Sequence, residues 1–380
     1  MISNGASAVP TAHSRVSIPL ADRALAGADG GHSSPDWVRL SGASAIALRL
    51  RSGRFSREFD FGGINLLLNY EDGCRSDCSY CGLARTRPGS YEDKSFIRVE
   101  WPLVETDLVV ERMATYQDKL TRLCISMVTH PLAYRDTCEI TSRIKERVGT
   151  PLSILVAPPT LNRRKVEELR RIGVDMIGIG LDAATEQLFR RHRTEVPAGG
   201  AGLSWDKYWS VVNDAREIFG PWKVNCHLLV GLGETDRDLV EMFFYLRDKE
   251  VFSYLFCFNP EPDSRLGGAS KSELTRWRRV QLVKHLIEND RLAPADLSFD
   301  DDGSLARVRP GSLDMEELIG DGVAFMTNGC PGESGEPGCT RPYGSYRPSE
   351  QFRDFPFLPD DQDLRQIRVD LALDEIIEGV

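Results

Sequence analysis

Cys74, Cys78 and Cys81 lie in the run Gly73-Cys74-Arg75-Ser76-Asp77-Cys78-Ser79-Tyr80-Cys81-Gly82, just after the apolar stretch Asn65-Leu66-Leu67-Leu68-Asn69. Thiolates are the soft ligands that iron–sulfur clusters need. A C-x3-C-x2-C triplet can ligate three irons of a cubane and leave the fourth open to bind and reduce a small molecule. A structural zinc site normally takes four ligands, often as two C-x2-C pairs, so zinc or plain electron transfer suits this single triplet less well. Disulfides suit it least, because nine cysteines is an odd number and no secretory signal opens the chain.

The elements that must position such a triplet are legible in the apolar patterning. Apolar runs alternate with helical ones: strand 64–69, helix 103–118, strand 121–128, helix 136–147, strand 152–157, helix 163–172, strand 175–181, helix 205–219, strand 222–230, helix 236–249 and strand 252–258. Strand followed by helix, repeated, implies an α/β fold with a parallel sheet and right-handed crossovers, a full or partial TIM-type βα barrel. Asn162 is placed to cap a helix that Gly173 ends. An amphipathic segment at 272–290 places Leu274, Trp277, Leu282 and Leu286 for packing against the barrel. Two shorter strands are expected at 305–309 and 322–328.

Residues 1–34, rich in Ala, Gly and Ser, read as a mobile leader. An N-terminal extension follows at 35–60, the barrel at 61–328, and a loop and tail at 329–380. A chain of 380 residues can bury a large core. Its net charge of −10 and isoelectric point near 5.3 argue against a broad nucleic-acid surface. The basic run Arg163-Arg164-Lys165 reads as a solvated helix face. No apolar segment approaches the roughly 18 residues of a membrane span, and a cytoplasmic location is expected.

In a parallel barrel the reacting groups sit at the carboxyl ends of strands. The triplet follows the first such end. Ser126-Met127-Val128-Thr129-His130-Pro131 follows the second, Gly178-Ile179-Gly180-Leu181-Asp182 the fourth, and Val230-Gly231-Leu232-Gly233-Glu234-Thr235 the fifth. The triplet, with Tyr80 as the aromatic residue before its last cysteine, resembles the signature of the radical S-adenosylmethionine (SAM) enzymes. That resemblance implies a [4Fe-4S] cluster on Cys74, Cys78 and Cys81, SAM on the open iron, and reductive cleavage to a 5′-deoxyadenosyl radical that abstracts hydrogen from carbon. It also implies an electron donor such as flavodoxin or ferredoxin. Ser126 and Thr129 stand where the family holds the methionyl group in a Gly-Gly-Glu-Pro-like turn, of which only the proline is kept. Asp182 suits the ribose hydroxyls, with an N-cap role as an equal alternative. Gly231, Gly233 and Glu234 look like the segment that approaches the adenine in biotin synthase and its relatives.

The stretches Trp37–Arg85, Phe96–Pro102 and Ser126–Pro131 further resemble the archaeal-type two-protein lipoyl synthases. This implies a sulfurtransferase that inserts sulfur from an auxiliary iron–sulfur cluster into a carrier-bound octanoyl chain or a small metabolite such as a nucleoside, and a possible second radical SAM protein as partner. The alternative is a dehydrogenase, epimerase or mutase whose second cluster carries electrons or anchors substrate. Cys330 and Cys339, in a Gly/Pro-rich loop, are the expected auxiliary ligands. Cys124 joins them: it shares a strand face with Ser126 and matches a cluster cysteine of biotin synthase. Asn225 stands where that enzyme has another cluster cysteine, so Asn225 and His227 should face inward and Cys226 outward. Cys257 is ambiguous, Cys138 falls in a helix, and His227 reads as a ligand, a proton donor or a satisfied interior histidine. Arg307 and Arg309 resemble the arginine that ligates biotin synthase's second cluster.

Overall fold

The computed structural model describes residues 31–377 apart from 56, 58, 90–93, 95–98, 195–202, 310, 312–314 and 321. Residues 1–30 of the expected leader lie outside the described residues, as do Phe96, Ile97 and Arg98. In chain order the elements are β1 (Trp37–Leu40), α1 (Gly42–Ala47), β2 (Gly63–Leu68), β3 (Leu103–Glu105), α2 (Thr106–Tyr116), β4 (Arg122–Ser126), α3 (Ala133–Lys145), β5 (Leu152–Val156), α4 (Arg163–Arg171) and β6 (Met176–Asp182). Then come α5 (Glu186–Phe189), α6 (Trp205–Phe219), β7 (Val224–Val230), α7 (Asp236–Asp248), β8 (Phe252–Cys257), α8 (Leu274–Glu288), β9 (Leu297–Phe299), β10 (Leu305–Val308), α9 (Met315–Ile319) and α10 (Asp361–Leu371).

β2, β4, β5, β6, β7 and β8 are mutually parallel neighbours. Their apolar runs are covered on both faces, which is why every residue of β2 is buried. Beyond β2 the sheet continues antiparallel through β1 and β3. Among the described residues β8 and β3 are not paired, so the barrel is partial. Ordinary caps start the crossover helices: Asn162 accepts from Lys165 N at 3.0 Å, and Thr235 forms a capping box with Asp238. α8 buries Trp277, Leu282 and Leu286. None of the described helices is long and apolar enough to cross a membrane.

Several expectations need correction. The expected extension at 35–60 is woven into the main sheet through β1, and Ser34, assigned to the leader, is buried and bonds Asn69 O at 2.8 Å. Residues 103–105 are the edge strand β3, and helix begins at Thr106. At 322–328 there is a 3-10 turn, Val323–Phe325, not a strand; Gly322, with φ of 85°, takes a left-handed conformation that interrupts extended backbone. β10 forms, but it pairs antiparallel with β9 in a separate ribbon and adds no barrel strand.

The C-terminal segment closes the barrel at its side and floor. Along the free edge of β8, the N–H of Leu255 donates to Asn328 Oδ1 at 3.1 Å and that of Cys257 to Ser345 Oγ at 3.1 Å, so side chains satisfy an edge that no strand covers. At the amino ends of the strands, residues 330–339 fold as a tight hairpin. Cys339 N bonds Cys330 O at 2.9 Å, Gly332 N bonds Glu336 O at 2.7 Å, and Pro331 bridges Pro337. Thr121 Oγ1 donates to Gly338 O at 2.7 Å and Arg122 Nε to Pro331 O at 2.7 Å. The same Arg122, almost wholly buried, reaches Ser153 Oγ at 3.1 Å and Asp175 Oδ1 at 2.6 Å.

Candidate functional site

Strand alternation and the closing segment leave a cavity of about 280 Å³ inside the barrel. Its wall is mainly apolar, with Leu67, Trp101, Leu155 and Phe256 among its residues, and it is bordered by two sets of thiols. At the carboxyl ends of the strands are Cys74, Cys78 and Cys81. Towards the amino ends are Cys124, Cys330 and Cys339.

The near set comes from the loop after β2, and that loop is clamped from several sides. Arg75 N donates to Thr129 O at 2.8 Å, fastening it to the end of β4. Asp77, almost fully buried, accepts from Thr86 Oγ1 at 2.6 Å and from Arg265, whose Nη2 also reaches Asp77 O at 2.6 Å. His192 ties two strand ends together: Nδ1 bonds Ser79 Oγ at 2.8 Å and Nε2 bonds Leu232 O at 2.9 Å. Burial pushes the Cys74 and Cys81 thiols up, and neighbouring triplet sulfurs raise both further. Thiolate ligation by such a set needs a cation, such as cluster iron, to offset the repulsion between the sulfurs. Three cysteine sulfurs on one loop bordering the cavity are the donor chemistry that an iron–sulfur cluster takes.

Of the expected cofactor residues, Tyr80, Ser126, Thr129 and Asp182 line the cavity. Tyr80 Oη donates to Asp182 Oδ2. Asp182 has φ of 64° at a bulge between β6 and β7, which turns its carboxylate inward. The N-cap of α5 is Thr185, not Asp182. Arg193 sits 3.4 Å from Asp182, donates to Leu181 O at 3.0 Å and stacks over Tyr208 at 4.7 Å. Sequence reasoning missed Arg193, Tyr208 and His192, which no motif spacing marks.

Gly231, Gly233 and Glu234, expected at the adenine, stand outside the cavity lining. Glu234 has one oxygen on the N–H of Gly231 and the other on that of Leu232, each at 2.8 Å, and Arg276 lies 3.1 Å away. The carboxylate thus staples its own turn. Gly231 has φ of 116°, and a Cβ there would lie 3.1 Å from Ser272 Oγ and 3.2 Å from Phe258 Cβ. Packing and backbone angle account for this glycine.

The far set joins mid-strand Cys124 to the two hairpin cysteines. Burial pushes Cys330 up to about 11, and Cys339 and Cys124 upward too, with Cys339 and Cys330 adding to the shift of Cys124. Asn225 faces inward, with Nδ2 3.5 Å from Cys330 Sγ, while Cys226 is wholly buried in the core. Hairpin Cys330 thus occupies the space before Asn225, where a cysteine on β7 itself would have pointed. Arg307 lies on β10 and Arg309 follows it; neither lines the cavity. Arg341 does, its guanidinium next to Cys339 and Cys124 and over the Trp101 ring at 5.4 Å. Cys257 lines the cavity but its sulfur accepts from Arg353 Nη1 at 3.3 Å; Cys138 is on α3, outside the lining. His227 lines the cavity between Asp182 and Arg341, and burial lowers it to about 4, which keeps it neutral.

Residues 68–246 match the Radical SAM superfamily model. Over 70% of its length the chain is 28% identical to biotin synthase from Nocardioides sp. (strain ATCC BAA-499 / JS614), spanning 68% of that protein. Over 62% it is 22% identical to biotin synthase from Sulfurihydrogenibium sp. (strain YO3AOP1), spanning 66% of it. The chain thus spans about two thirds of the length of these relatives. Among solved structures it is similar to methylornithine synthase, at 13% identity and a TM-score of 0.45 over 89% of this chain and 88% of that one. It is also similar to the FeFe-hydrogenase maturase HydG from Carboxydothermus hydrogenoformans, at 15% identity and a TM-score of 0.45 over 88% of this chain and 74% of that one. The cysteine triplet after the first parallel strand falls within this matched segment, so the chain carries a Radical SAM match over β4 to β7 and is biotin-synthase-like in sequence.

Proposed function

We propose that the chain is a radical SAM sulfurtransferase that thiolates an unactivated carbon with sulfur taken from a second iron–sulfur cluster. Cys74, Cys78 and Cys81 would hold a cubane, which would supply the one-electron reductive cleavage of SAM that hydrogen abstraction from carbon requires. Tyr80, Asp182 and Arg193 form the polar wall suited to the cofactor's ribose and charged groups. Cys124, Cys330 and Cys339 hold the sacrificial cluster, with Arg341 offsetting their negative charge. A reductase such as flavodoxin or ferredoxin provides the electron.

One observation carries this reading: the second thiol set borders the same apolar cavity as the first, at its opposite end. A cluster that only relays electrons needs a route to a redox partner, whereas a sulfur donor must touch the acceptor. The apolar wall suits an aliphatic acceptor such as a carrier-bound octanoyl chain better than a sugar nucleoside.

The test is anaerobic reconstitution with heavy-isotope sulfide, then a single turnover on an octanoylated carrier. Labelled sulfur is expected in the product. The double variant Cys330→Ala/Cys339→Ala should hold about half the iron, still cleave SAM slowly and yield no thiolated product. Unlabelled product sulfur, or a second cluster that survives turnover intact, favours electron transfer or substrate anchoring instead.

A further inference from the structure

Two carboxamides face the far thiols from inside the barrel. Asn65 lies on β2, in register with Cys124 on β4, and its Oδ1 is 3.6 Å from Cys339 Sγ. Asn225 lies on β7, with Nδ2 3.5 Å from Cys330 Sγ. Both side chains are buried, Asn225 completely.

Neither amide is well satisfied by protein. Asn65 Nδ2 has only a long contact, 3.4 Å, to Gly63 O, and Asn225 Oδ1 has no hydrogen-bond partner among the described residues. Asparagine is disfavoured in the interior of a strand, and an unsatisfied buried amide costs roughly 1–3 kcal/mol. Room is nevertheless kept for one of them: a Cβ at Gly178, the neighbour of Asn225 in register, would lie 2.8 Å from Asn225 Oδ1. A buried thiol is a weak partner for an amide, but a metal-bound thiolate is a good acceptor for N–H. Asn225 already presents its NH2 group to sulfur, and Asn65 does so when its amide turns over about χ2.

We propose that Asn65 and Asn225 are positioning residues of the second cluster, donating N–H···S hydrogen bonds to Cys339 and Cys330 and thereby raising its reduction potential. The inference rests on the reading that the far thiols hold an iron–sulfur cluster. Hydrogen bonds to cysteine sulfur withdraw negative charge and favour the reduced state. They hold the cluster closer to the state in which an Fe–S bond gives way.

The test uses the full chain with Cys74, Cys78 and Cys81 replaced by Ala, so that only the second cluster remains after reconstitution. Iron is measured first; a parent that binds none sinks the cluster reading and this inference together. With iron bound, Asn225→Leu, Asn65→Leu and Asn225→Asp are titrated redox-potentiometrically at equal iron content. Each should lower the potential, and the double Leu variant should lower it further. Pulsed resonance of the reduced parent with nitrogen-labelled asparagine should show hyperfine coupling to the label. An unchanged potential with full iron, or no asparagine coupling, overturns the inference and leaves the cluster reading standing.

Discussion

The two ends of the cavity hold three cysteines each but assemble them differently. At the near end one loop supplies all three, and the contacts of Asp77 and His192 shape a segment that already carries the whole ligand set. At the far end one cysteine comes from the middle of β4 and two from a hairpin more than 200 residues later. The near set therefore depends on local geometry, while the far set exists only if the hairpin docks on the barrel floor. Substitutions that contact no iron can empty the far end and leave the near end filled.

The largest separation is expected from the near cysteines themselves. Cys74→Ala/Cys78→Ala/Cys81→Ala should abolish 5′-deoxyadenosine formation while the far set keeps its iron. Residual 5′-deoxyadenosine, measured by chromatography, would break the division of labour. Gly329→Ala is the converse. Its Cβ would lie 1.9 Å from the carbonyl oxygen of Cys339, a backbone clash that the hairpin cannot absorb, so far-set iron should be lost with SAM cleavage retained.

A partial loss is expected at Arg122. Its removal deprives Pro331 O, Ser153 and Asp175 of a buried donor, at a cost of about 3 kcal/mol. Arg122→Ala should lower the unfolding midpoint and weaken far-set iron more than near-set iron; equal losses at both ends would show that the hairpin is not separately docked.

A further effect, on stability alone and not on iron content, is a slope with pH. Asp354, buried within the C-terminal segment, accepts from Gln281 Nε2 of α8 at 3.3 Å. Burial raises it from 3.8 to about 7. An acid with a raised folded pKa contributes stability that is complete below its unfolded pKa and is lost as pH rises towards the folded one. Wild-type stability relative to Asp354→Asn should therefore fall between pH 3.8 and about 7. A parallel pH dependence in denaturant titrations of the two proteins would remove Asp354 from the account.

Much of this molecule is set by residue type and local spacing. The triplet needs only its own loop, and the alternation of fully apolar strands with amphipathic helices needs only periodicity, so both are legible in the chain. The placement of Asp182 was open between a cap and the cavity until Thr185 took the cap and a bulge turned Asp182 inward. The glycines after β7 resemble a cofactor shelf in their spacing, and Glu234 and the positive φ angles also give them work within their own turn. Arg341 and Asn65 carry no spacing signal as partners of the far thiols, whereas the position of Asn225 on its strand already placed it facing inward. Residues hundreds of positions apart meet only because the chain returns along the open edge of β8 and closes the floor. Local sequence determined which chemistry the near loop can support. Tertiary structure alone decided which side chains face it across the cavity, because long-range packing, not spacing along the chain, brings them there.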